Sequence, residues 1–214
     1  MSQSLDINLS ALTPQDRYKI LCGVVVPRPI AWVTTVNEAG LVNAAPFSFF
    51  NVFSEDPPLV VLGLQHRPDN SPKDTTRNIH STGEFVVNLV DEALGARMND
   101  SAIDFPTDMS EAQALNLELA ASTAVIAPRI AAAPFAFECR RVVALAFGPG
   151  RELLVGEALR VHARSGLLDP ETLRVDFERY RPVGRLFGDL YARQNDIYAM
   201  RRESFSEFQA RNKA

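Results

Sequence analysis

Hydroxyl, amide and ammonium groups gather in three short stretches of this 214-residue chain. The first is Thr34-Thr35, the second runs Asn43-Ala44-Ala45-Pro46-Phe47-Ser48-Phe49-Phe50, and the third runs from Lys73 to Ile79 (KDTTRNI). Consecutive hydroxyls, an Asn amide and a small Ala-Ala-Pro turn exposing backbone N–H groups can together read a flat heteroaromatic ring with several polar edges. A helix starting at Ser71, with Pro72 at its first position, presents unpaired N–H groups. Lys73 and Thr75 add a cation and a hydroxyl there, which suits a phosphate monoester.

Each stretch also has a plainer use. Val-Thr-Thr-Val is ordinary strand composition, and Asn43 can simply close a turn. Phe47, Phe49, Phe50 and Phe53 suit a barrel interior, and Asp74 favours a helix dipole with Lys73 merely on the surface. Their order along one chain favours the chemical reading, and an isoalloxazine ring fits it. Other chemistries lack their signatures. There is no GxGxxG loop and no GxSxG elbow, and His66, His80 and His162 lack close metal-ligand spacing, so neither a dinucleotide domain, a serine hydrolase nor a metal centre is expected.

The elements that must hold these groups are mostly strands. Thr13-Pro14-Gln15-Asp16 predicts a short helix toward Leu21, ended by Gly23. Ile30 to Val36, a turn at Asn37 to Gly40, and Leu41 to Phe50 read as a hairpin. Leu59 to Leu64 and Phe85 to Val90 are apolar runs of buried-strand length, with the Ser71 helix between them ending at Gly83. Asp91 to Ala121 reads as a helix-and-loop insertion over the barrel, its clearest start at Ser110. A second strand pair, Phe135 to Phe147 and Glu152 to Ala163, turns at Gly148-Pro149-Gly150. In it Leu153, Val155, Leu159 and Val161 fall mostly on one face, with Glu152, Arg160 and His162 on the other. A charged C-terminal tail is expected to fray. The pattern is mainly β with added helices, without βαβ alternation. It divides into an N-terminal arm and helix (1–22), a barrel domain (23–191) and a tail (192–214).

Composition narrows the partners. A net charge of −4 and 46% hydrophobic content describe an ordinary globular chain with no electrostatic reason to bind nucleic acid or an acidic membrane. No apolar run approaches membrane-spanning length and the start, MSQSLDINLS, lacks the regions of a signal peptide, so the cytoplasm is the expected location. Cys22 and Cys139 are read as buried thiols, with a disulfide between them the minor alternative.

The runs PRPIAWVTT, APFSFFNVFSEDPPLVVLGL and KDTTRNIHSTGEFVVNLV together resemble the flavin reductase-like domain family, whose FMN-binding split β-barrels include flavoredoxins and the reductase components of two-component monooxygenases. The resemblance spans about Val26 to Tyr191. It closes on Pro182-Val-Gly-Arg185-Leu-Phe-Gly188-Asp-Leu-Tyr191, where Phe187 stands at a position commonly glycine. It implies a homodimer binding FMN, or FAD, with Thr34, Thr35, Asn43, Ala45, Pro46, Ser48 and Phe49 along the ring and ribityl chain and Lys73, Asp74 and Thr75 at the phosphate. Arg28, Arg67 and Ser71 are implied as further phosphate or ribityl contacts, and Arg185 and Tyr191 as residues of the active site or the dimer contact. It implies NAD(P)H as electron donor, no catalytic side chain, and a monooxygenase or other electron acceptor as partner. Backbone N–H groups near Ala45 to Ser48 are expected to steady the charge of the reduced ring. The alternative is a flavin-binding or electron-transfer module without nicotinamide turnover.

Overall fold

The computed structural model describes residues 4–212, so the outermost residues of the predicted arm and tail lie outside the described residues. Strands run at β1 (Ala31–Val36), β2 (Val42–Phe47), β3 (Phe50–Glu55), β4 (Pro58–Gln65), β5 (Glu84–Leu89), β6 (Leu119–Ala120), β7 (Arg129–Ile130), β8 (Phe135–Ala146), β9 (Arg151–Ala163), β10 (Val183–Arg185) and β11 (Tyr191–Arg193). Helices are α1 (Pro14–Val24), α2 (Asp74–Thr82), α3 (Gly95–Asp100), α4 (Glu111–Ala114) and α5 (Phe205–Arg211). The main sheet is antiparallel in the order β2-β1-β5-β8-β9-β4-β3, which sets the consecutive strands β2 and β3 at opposite edges. Only two residues join them, so the sheet must curl until its edges meet. The Gly63 N–H donates to the Phe49 carbonyl at 2.7 Å, which extends the β3-β4 ladder into that connection. The result is a split β-barrel, as the sequence predicts.

Strand β1 shows why its sequence is nearly continuously apolar. Ala31 and Val33 point into the barrel core with Phe50, Leu62, Leu64, Ile79, Phe85 and Leu154. Trp32 points the other way, into a second core of Leu94, Met98, Ala112, Leu117 and Ile130 that α3, α4 and the β6-β7 pair lay over the sheet. The insertion predicted at Asp91 to Ala121 therefore covers the barrel, and β1 is buried on both faces.

Local expectations meet several corrections. Thr13 caps α1 as expected, its side chain accepting the Asp16 N–H, but the helix runs through Gly23 to Val24. The Leu41 to Phe50 run breaks at Ser48-Phe49, where the chain passes between the edge strands. Ser71 does not cap α2: its hydroxyl and N–H both go to Asp69, at 2.6 and 2.9 Å, and this local turn delays the helix so that Lys73 is its N-cap. Gly83 ends α2 at φ 72°, as predicted.

On β9 the inward residues are Leu154 and Gly156, while Leu153 and Val155 are half-buried and Val161 is exposed. The apolar face predicted there is the outer one, and two register shifts in the β8-β9 ladder interrupt its alternation. The tail carries the short exposed helix α5, fixed by a Ser204–Glu207 capping box. Cys22 and Cys139 are buried and free.

Candidate functional site

The start of α2 is built to stay open. The Lys73 cap makes no side-chain hydrogen bond, so the first-turn N–H groups have no cap from it. Arg67 fixes the approach by donating to the Pro72 carbonyl at 2.6 Å and to Asp74 at 2.9 Å. Arg77 holds the other Asp74 oxygen. Lys73 itself pairs only loosely, 3.5 Å from the exposed Asp104, and is free to turn to another anion.

Strand β2 supplies the facing wall. Being an edge strand, it pairs only with β1, Asn43 opposite Thr35 and Pro46 opposite Trp32. The Ala44 N–H leaves the ladder and donates to Glu111 at 3.3 Å. Two residues on, Pro46 has the same outward orientation, so its missing N–H costs no ladder bond. Ala44-Ala45-Pro46 is thus strand rather than the predicted turn. The N–H groups of Ala45 and Phe47 face β1, which leaves few of the backbone donors expected near Ala45 to Ser48. Side chains serve instead: Asn43 donates to the Thr75 hydroxyl at 2.8 Å, tying β2 to the first turn of α2.

Between these walls lies a half-open cavity of about 230 Å³ lined by Asn43, Ala45, Pro46, Ser48, Phe49, Arg67, Lys73, Asp74 and Thr75, all predicted from sequence. Its cations and hydroxyls sit beside the rings of Phe47, Phe49 and Phe105. An amphipathic ligand with an anionic end suits this set: Lys73, Thr75 and the open start of α2 for a phosphate, Asn43 and Ser48 for polar edges, and the phenylalanines for a flat face. The residues present fit a flavin mononucleotide.

Four predicted contacts do not reach the cavity. Thr34 turns to the opposite face of β1 and donates to the Pro128 carbonyl at 2.5 Å. Thr35 is fully buried and accepts from Asn78 of α2 at 3.0 Å. The Arg28 guanidinium is spent on the carbonyls of Cys22, Val25 and Leu186, touching Ser48 Oγ only at 3.4 Å. Ser71 is taken by Asp69. Arg185 and Tyr191 also lie elsewhere: the guanidinium stacks 4.6 Å from the Tyr191 ring, and the tyrosine hydroxyl donates to Asn99 of α3 at 2.9 Å. They staple the C-terminal hairpin to the insertion.

Other lining residues escaped the sequence. Gly63 allows Phe49 to lie against β4, since a Cβ there would fall 2.8 Å from the phenylalanine's own; a glycine inside LVVLGL is the available signal. Glu111, Tyr18 and Arg151 also line the wall, and nothing in their neighbourhoods marks them. The histidines are structural. His66 and His80 both donate to Glu152 at 2.8 Å, and His162 donates to the fully buried Glu138 at 2.5 Å. Among the described residues no group of three or more His, Cys, Asp or Glu side chains is arranged so that it could hold a metal ion.

The fold and this site define a flavin reductase-type split barrel. The flavin reductase like domain family matches residues 24–184, and the chain belongs to that family of flavin-related oxidoreductases. A Deinococcus radiodurans relative of unassigned function is 43% identical, covering 94% of this chain and 91% of its own. Among solved structures, Pseudomonas fluorescens 2-nitrobenzoate 2-nitroreductase is 41% identical with a TM-score of 0.87, covering 94% of this chain and 98% of that one. Nitrilotriacetate monooxygenase component B of Bacillus cereus is 33% identical with a TM-score of 0.89, covering 94% and 100%.

Proposed function

We propose that this chain binds FMN, with FAD the alternative flavin, in the cavity between β2 and α2 and acts as an NAD(P)H-dependent flavin oxidoreductase. The observation that carries this reading is the convergence of Asn43, Ala45 to Phe49 and Lys73 to Thr75 on one cavity, from β2, the connection after it and the start of α2. Lys73, Thr75 and the open α2 start would hold the phosphate. Asn43, fixed by Thr75, and Ser48 would orient the ligand's polar edges. Phe49, backed by Gly63, would keep water from one side. Bound flavin supplies the redox chemistry, accepting hydride at N5 from NADH or NADPH, and no side chain is needed as nucleophile.

The working unit in this reading is a cytoplasmic homodimer. Val52 and Phe53 of β3 and Val142 and Leu145 of β8 are exposed apolar side chains that a second copy would cover. Likeness to a monooxygenase component B supports delivery of reduced flavin to an oxygenase partner. The 41% identity to a nitroreductase favours a second reading, in which flavin stays bound and passes electrons to a nitroarene.

The test is NADH and NADPH oxidation by the purified protein with added FMN, against the free-flavin background. Oxidation well above background supports the reductase reading; background rates with intact flavin binding would leave only a binding module. Yellow protein after gel filtration would favour the second reading, and colourless protein the first.

A further inference from the structure

Glu111 is a buried acid in the wall of this cavity that the reading above leaves unused. It opens α4, which Ser110 staples to β2 by donating to the Val42 carbonyl at 2.6 Å. The residue is 8% exposed and lines the cavity, and its carboxylate accepts the Ala44 N–H at 3.3 Å. No cation pairs with it among the described residues: Arg67 is engaged by Asp74, and Lys73 leans loosely toward Asp104 at 3.5 Å. Of the groups that share its surroundings, Asp74 comes from α2 and Asp104 from the loop after α3, while the Val42 to Ala44 stretch of β2 carries no charge. Arg151 lines the same wall from β9, in register with Gln65. Burial pushes the Glu111 carboxyl above its usual range, and the Asp74 charge adds to this. The N–H groups of Glu111 and Ala44 offset these effects only in part.

A ligand with a phosphate brings further negative charge beside Glu111, into a cavity where Asp74, Asp104 and Glu111 itself are set against Arg67, Lys73 and Arg151. We propose that Glu111 couples occupancy of this cavity by an anionic flavin to proton uptake: the carboxylate takes one proton from solvent as the ligand binds and releases it as the ligand leaves. As a neutral acid its O–H is available to an acceptor on the ligand; as a carboxylate it repels the ligand. The inference rests on the flavin reading and adds a pH-dependent affinity to it.

The test is the FMN dissociation constant, by flavin fluorescence quenching, from pH 5.5 to 9 for the native protein and Glu111→Gln. Ionisation of the phosphate is common to both proteins and cancels in the ratio of the two constants. That ratio is expected to be constant at low pH and to grow toward about tenfold per pH unit above the Glu111 titration. Proton uptake by the native protein at pH 8, measured calorimetrically in two buffers, gives a second readout that needs no variant, because the free phosphate is already ionised there. Tight binding by both proteins with a flat ratio and no proton uptake overturns the linkage alone. Absence of FMN binding by either protein at every pH overturns the flavin reading, and the linkage with it.

Discussion

Lys73 offers a charge-assisted interaction to a phosphate in the cavity, because its present partner, Asp104, is exposed and 3.5 Å away. A charge-assisted hydrogen bond is worth about 1.5–3 kcal/mol, so Lys73→Ala is expected to weaken FMN binding roughly 10- to 100-fold by fluorescence titration while leaving the melting temperature nearly unchanged. Arg28 behaves oppositely. Its buried guanidinium serves three carbonyls from α1, its C-terminal cap and the C-terminal segment, so Arg28→Ala should cost at least about 2 kcal/mol by denaturant unfolding, through carbonyls left unpaired. Gly63→Ala should displace Phe49 toward the cavity and reduce flavin affinity more than stability. At this scale the sequence showed residue types but not the direction of side chains. Thr34 and Thr35 look alike in VTTV, yet the pleat sends one to each face of β1. Ser71 has every feature of a helix cap except that Asp69 captures it first.

The β4-α2 connection is locked from behind the cavity by Glu152, whose two oxygens accept from His66 at the end of β4 and His80 near the end of α2. Arg141 donates in turn to His80 at 2.8 Å. Burial pushes the Glu152 carboxyl up, but the hydrogen bonds from His80 and His66 outweigh it and hold the group below its usual range. Its contribution to stability is therefore fully present above the ordinary glutamate range, near about 4.3, and is lost as pH falls through the lowered value. Thermal melts between pH 7 and 3 should show an acid-side loss that is smaller for Glu152→Gln; an identical acid limb in the variant would show that the lock contributes nothing. Elements were the most legible level. The hairpin, the two apolar runs, α1, α2 and the long β8-β9 pair all announce themselves by period and punctuation. The phase of β9 did not, because the sequence cannot show the two ladder irregularities or that Glu152 is drawn inward by two histidines.

For the whole molecule, sheet closure follows from topology, whereas the surfaces that face other chains follow from what the fold leaves uncovered. Val52 and Phe53 are 65% and 70% exposed, and in the proposed dimer they are covered. Phe53→Glu is expected to shift the light-scattering mass from two chains toward one; a native protein that is already monomeric across the micromolar range would contradict the dimer. The family resemblance conveyed the barrel and nine of the residues that line the cavity. It could not supply Glu111, whose place beside Asp74 exists only once α4 folds back onto β2.

The most direct measurement is a visible-absorbance titration of the purified protein with FMN, repeated on Asn43→Ala and Lys73→Ala. Saturable shifts of the flavin bands with the native protein, weakened in both variants, are the expected result. An unperturbed FMN spectrum at saturating protein, or equal affinity in all three proteins, would contradict the placement of flavin between β2 and α2.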